Sequence, residues 1–311
     1  MKKRPSIFTS IILIICLLIA APFNVYAAEL SIGVNTVLSR SADLDPANGK
    51  CAKLEGMAVG NKYIYTAKRS DDKKSVSIYR TKMSTGETVL LKFTNEKDPS
   101  YTNKLGYAGD MKVIDINGQT TLMVATGTSL VQVKVDNPNK QLTVQKEYKL
   151  NNVQYITSIA SDKENNGVFY IRTKKNDDSS GFVIYKVNIE LSKASSTKTL
   201  PLNGNKVCKL IKIADKCSGQ GMAYYKGKLY IGMTTTQTDS NGKEYKQNCI
   251  SIYKIPSSDA EVKVQNKIKL NLTGEVEGVD ITEGYLYYSQ KGGTVGSYPY
   301  TVYVSQNQVS K

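Results

Sequence analysis

Apolar residues in this chain gather in short segments separated by polar turns, and the pattern repeats. Five times between residues 54 and 290, a short apolar segment and a turn lead into a second apolar segment, in four of the five copies marked by Tyr. The copies are Glu55-Gly56-Met57-Ala58-Val59 before Tyr63-Ile64-Tyr65, Asp110-Met111-Lys112-Val113-Ile114 before Leu122-Met123-Val124, and Thr157-Ser158-Ile159-Ala160 before Val168-Phe169-Tyr170-Ile171. Gln220-Gly221-Met222-Ala223-Tyr224 before Leu229-Tyr230-Ile231 and Glu277-Gly278-Val279-Asp280-Ile281 before Leu286-Tyr287-Tyr288 complete the set. A third segment follows in each copy, at 75–79, 130–135, 182–187, 250–255 and 300–304, alternating apolar and polar residues and rich in β-branched and aromatic types. Period-two alternation predicts strands. Fourth strands are expected at 88–91, 145–148 and 262–265, with turns at Asn117-Gly118, Asn166-Gly167, Lys226-Gly227, Asn241-Gly242 and Glu283-Gly284.

A repeat of roughly 45 to 60 residues made of short strands is the mark of radial blades, because one four-stranded unit cannot bury its own apolar face. The last copy runs out of chain after its third strand, while residues 30–39 alternate with no partner of their own. Letting that N-terminal strand complete the last blade removes two exposed edges. The expected fold is therefore all-β: a single β-propeller of five four-stranded blades, with an open sandwich of the same strands as the alternative. No linker or composition shift divides residues 28–311, so they read as one domain.

Residues 1–27 read as a secretory leader: Lys2, Lys3 and Arg4, an apolar run over 11–21, then Val25-Tyr26-Ala27 before the expected cut. The run is too short for a spanning helix. Without those three cations the formal charge of +15 falls to about +12. An exported monomer this basic is expected to meet anionic envelope polymers or glycans, although the spread of Lys along the chain also serves to blunt sheet edges. No run is dense enough for a nucleic-acid arm. Cys51, Cys208, Cys217 and Cys249 remain after the leader, an even count that predicts two disulfides; Cys208 with Cys217 and Cys51 with Cys249 is the preferred pairing.

The chain has no His, which removes Ser-His-Asp and Cys-His catalysis and, with no C-x-x-C spacing, a zinc site. No phosphate cradle is present. With no Trp, sugar stacking would fall to the 21 Tyr, most of which alternate along strands as packing residues. The informative polar residues open the inner strands: Glu55, Asp110, Gln220 and Glu277. Around a central channel they would converge as oxygen ligands, with Glu55, Asp110 and Glu277 suited to Ca²⁺. They equally suit hydrogen bonds that tie blade to blade. The Gly after three of them permits close backbone approach or positive φ.

Tyr107-Ala108-Gly109-Asp110 before Ile116-Asn117-Gly118, Ile250-Ser251-Ile252-Tyr253-Lys254-Ile255-Pro256, and Glu275-Val276-Glu277-Gly278-Val279 resemble, in their order, the motifs of helveticin J-like proteins, large bacteriocins of Gram-positive bacteria. That resemblance implies a secreted antibacterial protein acting at the bacterial envelope. Where the family carries a His near one inner-strand start, this chain has Tyr155-Ile156-Thr157-Ser158. Two expectations result: a non-enzymatic, cell-wall-binding protein of bacteriocin type with no cofactor, and a Ca²⁺-dependent propeller hydrolase or lyase with metal-bound water as nucleophile.

Overall fold

A computed structural model describes residues 28–29, 36–40, 51–151, 153, 155–174, 181–191, 198–201, 206–211, 217–272, 274–292 and 300–309. The leader expected over 1–27 lies outside them. Every regular element among them is a strand. None is a helix long and apolar enough to cross a membrane.

Two short strands open the described chain, β1 (Ala28–Glu29) and β2 (Thr36–Arg40). A first antiparallel meander follows, β3 (Cys51–Val59), β4 (Tyr63–Ser70), β5 (Val76–Lys82) and β6 (Thr88–Phe93), then a second, β7 (Asp110–Ile116), β8 (Gln119–Ala125), β9 (Ser129–Asp136) and β10 (Gln141–Asn151). The third comprises β11 (Tyr155–Ser161), β12 (Val168–Lys174), β13 (Gly181–Asn188) and, after β14 (Lys198–Pro201), β15 (Lys206–Ile211). The fourth comprises β16 (Cys217–Tyr225), β17 (Lys228–Thr238), β18 (Glu244–Lys254) and, after β19 (Ala260–Val262), β20 (Asn266–Leu270). Last come β21 (Glu275–Thr282), β22 (Tyr285–Lys291) and β23 (Tyr300–Gln308).

The fourth strand of that last group is β2, antiparallel to β23 with Thr36 opposite Val304 and Arg40 opposite Thr301. The edge that would otherwise template another chain is covered from the far end of the sequence. Short parallel pairs join neighbouring groups at their outer edges: β6 with β10, β10 with β14, β15 with β19, and β1 with β20. Through the first two of these the two opening meanders and β14 count as one nine-stranded sheet, so the strands form four hydrogen-bonded sheets.

The inner strands neighbour one another in sequence order, β3 beside β7, β7 beside β11, β11 beside β16, β16 beside β21, and β21 back beside β3. Apolar clusters fill the spaces between neighbouring groups: Tyr65, Ile78 and Leu91 with Met111, Leu122 and Val133 between the first two, and Tyr170, Ile184 and Cys208 with Met222, Ile231 and Tyr253 between the third and fourth. Each sheet buries both faces against its neighbours, which is why these strands carry apolar residues on both sides. This radial arrangement is a β-propeller.

Glycines let the inner strands come this close. A Cβ at Gly56 would stand 2.8 Å from the Ala108 carbonyl oxygen, and one at Gly278 would stand 2.5 Å from Met57 Cβ. Gly221 combines a φ of 56° with a Cβ position 2.6 Å from the Val279 nitrogen. Only glycine accepts both constraints.

Two expectations need correction. Residues 262–265 are not the outermost strand of the fourth group; β20 takes that place, because its alternating Asn266, Ile268 and Leu270 seat Ile268 and Leu270 in the apolar cluster beneath. Neither disulfide exists. None of the four cysteines is disulfide-bonded, and the strands set Cys51 opposite Ser70, Cys208 opposite Ala260, Cys217 opposite Thr235 and Cys249 opposite Met233.

Candidate functional site

The inner strands begin at one mouth of the central channel, called here the upper mouth, and end at the lower. At the upper mouth, Glu55 lies in the bulge between Leu54 and Met57, and Glu277 in the bulge between Val276 and Val279. A bulge re-aims side chains and breaks the ladder locally. Both carboxylates are only 1% exposed. Lys291, at the end of β22, spans them: its Nζ is 3.1 Å from Glu55 Oε1 and 3.2 Å from Glu277 Oε1. Glu55 has a second cation, Arg69 Nε at 2.6 Å, and the Arg69 guanidinium lies 4.9 Å from the Tyr107 ring centre.

The two carboxylates are thus unequally supplied. Burial pushes the Glu277 carboxyl up to about 8, with Lys291 opposing and the Glu55 charge reinforcing the shift. Burial acts to lower the Lys291 pKa, but the two carboxylates outweigh it and hold the ammonium charged. Burial and the Glu55 charge raise the Tyr107 phenol to about 12. Lys291 is the most open member of the group, with 24% of its side chain exposed.

Asp110 stands apart from this group. Completely buried, it takes Lys112 Nζ at 2.6 Å and the amide of Met111 at 2.8 Å on Oδ1, and the amides of Ile159 at 3.1 Å and Met222 at 3.2 Å on Oδ2. One carboxylate so rivets β7, β11 and β16 together. Burial raises its pKa to about 6, against the pull of Lys112 and the amides. Gln220 is half-buried on β16, opposite Gly232 of β17. The structure therefore brings Glu55 and Glu277 together and leaves Asp110 and Gln220 elsewhere.

That division settles the fit of a cation. The carboxylate oxygens face ammonium, guanidinium and backbone N–H groups, and no group of three or more His, Cys, Asp or Glu among the described residues is placed to hold a metal ion. The set expected for Ca²⁺, Glu55, Asp110 and Glu277, does not fit one: a hard dication wants six to eight oxygens, both Asp110 oxygens are taken by Lys112 and three amides, and Lys291 and Arg69 stand against the two glutamates.

Sequence reading missed the cations. Lys112 was legible, since residues i and i+2 of a strand share a face and Lys112 follows Asp110 by two. Lys291, Arg69 and Tyr107 arrive through tertiary packing and carry no local signal.

The lower mouth has its own charged group. Asp280 accepts the Val59 amide at 2.8 Å on Oδ2 and the Ile281 amide at 2.8 Å on Oδ1. Lys163, from the turn after β11, reaches Asp280 Oδ1 at 3.1 Å, the Ile281 carbonyl at 2.7 Å, Thr282 Oγ1 at 2.6 Å and the Val59 carbonyl at 3.3 Å. One ammonium thus ties the ends of β3 and β21 to the third sheet. Beside it a cleft of about 440 Å³ opens between the turns of the first three meanders, walled by Val59, Tyr63 and Val113.

No family model matches the chain, and no curated protein matches it, so neither bears on the helveticin J-like resemblance. Solved structures do match. The RS223 β-xylosidase is 12% identical, with 88% of this chain and 94% of that one covered and a TM-score of 0.47. The α-L-arabinanase of Cellvibrio cellulosa, complexed with arabinohexaose, is 10% identical, with 82% and 92% covered and a TM-score of 0.43. Hydrazine synthase of Kuenenia stuttgartiensis is 12% identical at a TM-score of 0.38, and the match takes in 77% of this chain but only 62% of that one. Likeness at this level assigns no activity. The expectation of a bacteriocin-type binding protein is nevertheless corrected here, because the matches include glycan-cleaving enzymes and none of those reported is a bacteriocin.

Proposed function

We propose that the chain is an exported, five-bladed propeller hydrolase that cleaves glycosidic bonds at its upper mouth, with Glu277 as proton donor and Glu55 as its partner carboxyl group. The observation that carries this reading is the pair of buried carboxylates sharing Lys291. With one ammonium within 3.2 Å of each, their Oε1 atoms lie no more than about 6 Å apart, short of the roughly 6.5–9.5 Å of inverting carboxyl pairs and compatible with the roughly 5–5.5 Å of retaining ones. Their environments differ in the sense such chemistry needs. Glu277 is pushed up to about 8 and so keeps its proton at neutral pH, while Glu55 is held between Arg69 and Lys291.

In this reading Glu277 gives its proton to the leaving oxygen. Glu55 supports positive charge at the anomeric carbon from the other side, water then adds to that carbon and returns a proton to Glu277, and Lys291, part-exposed, moves aside as the sugar enters. The five inner strands and the closing β2 support five blades, and the net charge of about +12 left without the leader's three cations favours a glycan that carries acidic groups.

The test is release of reducing ends from xylo- and arabino-oligosaccharides and from uronate- and phosphate-bearing glycans. Wild-type protein is expected to cleave at least one, and Glu277→Gln and Glu55→Gln to lose that cleavage. Inactivity of the wild type on all of them, or full activity in both variants, overturns the reading.

A further inference from the structure

Ser158 and Arg172 are cross-strand partners on β11 and β12, so their side chains leave the sheet on the same face. Two residues on, the same face carries Ala160 and Tyr170, which belong to the apolar cluster between the third and fourth sheets. Arg172 therefore ends at the top of that interface, against β16, and is wholly buried. Its Nε donates to Thr157 Oγ1 at 2.7 Å and its Nη2 to the Gly219 carbonyl, and its Cζ lies 4.7 Å from the Phe182 ring centre. Nη1 has no hydrogen-bond partner among the described residues. Neither has the Ser158 hydroxyl, which is also fully buried. Gly219 accommodates the guanidinium, since a Cβ there would stand 2.1 Å from Nη1.

The charge around Arg172 does not balance. Asp110 is the nearest carboxylate acting on it, but Asp110 is already compensated by Lys112 and bound by three amides. Tyr253, also close, donates its hydroxyl hydrogen to the Ile211 carbonyl, and the Cys217 thiol contacts the Ser218 carbonyl and Met233 Sδ. A buried cation without a counter-charge is among the costliest features a fold can keep. We propose that Arg172 Nη1 and Ser158 Oγ form a binding site for a small monovalent anion of halide or formate size, which supplies the missing charge and both missing hydrogen-bond acceptors. The site is separate from the carboxylates of the upper mouth, so it stands or falls independently of glycan cleavage.

The test is thermal unfolding of the whole protein at constant ionic strength, with chloride, bromide or formate replacing a bulky sulfonate. Each small anion is expected to raise Tm by several degrees in a saturable way, as a ligand of the folded state does. Ser158→Ala should weaken the apparent affinity about 10-fold. Ser158→Asp, which brings its own carboxylate to Arg172, should melt above wild type in sulfonate and ignore added anion. Cys217→Ser should leave the response intact. A bromide-soaked crystal should show an anomalous peak at Nη1. A wild-type Tm indifferent to anion identity, an unchanged response in Ser158→Ala, or loss of the response in Cys217→Ser, which would make the thiolate the counter-charge, overturns the proposal.

Discussion

The two mouths of the channel are built from the same materials, Asp or Glu with Lys, and arrive at opposite results. At the lower mouth one carboxylate meets one ammonium, Asp280 also holds two backbone amides, and Lys163 is surrounded by four oxygens. At the upper mouth two carboxylates share Lys291, and among the described residues Glu277 has no second cation to match Arg69 on Glu55. The lower group is a latch; the upper one holds a proton poised near neutrality. What separates structure from chemistry here is the ratio of cations to carboxylates and the supply of backbone donors, since residue type is shared.

The sharpest break of this comparison is functional. Glu277→Gln is expected to reduce glycan cleavage by about 10²- to 10⁴-fold, the usual worth of a general acid, while Lys163→Met leaves kcat/KM unchanged. Equal losses in both would erase the distinction. Next in size is the rivet between them. Asp110→Ala strands the Lys112 ammonium and the amides of Ile159 and Met222 in the interior, and urea unfolding should show a loss of about 3–5 kcal/mol.

A third test uses pH. The folded-state pKa of Glu277 lies above its ordinary 4.5, at about 8, so the folded protein binds the extra proton in that window. Its contribution to stability is full below about pH 4.5 and is lost as pH rises through about 8, roughly 2–4 kcal/mol in all. Denaturant midpoints measured across that range should fall in wild type and fall less in Glu277→Gln. Smaller again, Lys163→Met should cost about 1–3 kcal/mol through the Ile281 carbonyl and the Asp280 carboxylate that lose its ammonium. At the bottom of the scale, Lys53→Ala, which breaks the exposed pair with Asp71, should change stability by less than about 1 kcal/mol.

The strand framework was legible in the sequence because alternation and turn residues are local properties, and the odd strand count pointed to β2 closing on β23. The glycines after Glu55, Gln220 and Glu277 were legible for the same reason: close inner-strand packing leaves room for no other residue. The site was only half legible. Glu55 and Glu277 stood out at the heads of their strands, but the bulges that turn them toward each other depend on pairing with β4 and β22, and the cations that divide their roles arrive from Arg69 and Lys291. Counting carboxylates without those cations led to a calcium site that the folded chain does not offer. The cysteines misled in a similar way, since an even count says nothing about which strands lie between the thiols.

The central claim is that Glu277, paired with Lys291 beside Glu55, keeps its proton at neutral pH. Carboxyl ¹³C chemical shifts of the glutamates followed from pH 4 to 10, with Glu277 assigned by its loss in Glu277→Gln, test this directly. A Glu277 midpoint at about 8 is the expected result; a midpoint in the ordinary glutamate range near 4.5 would contradict the account.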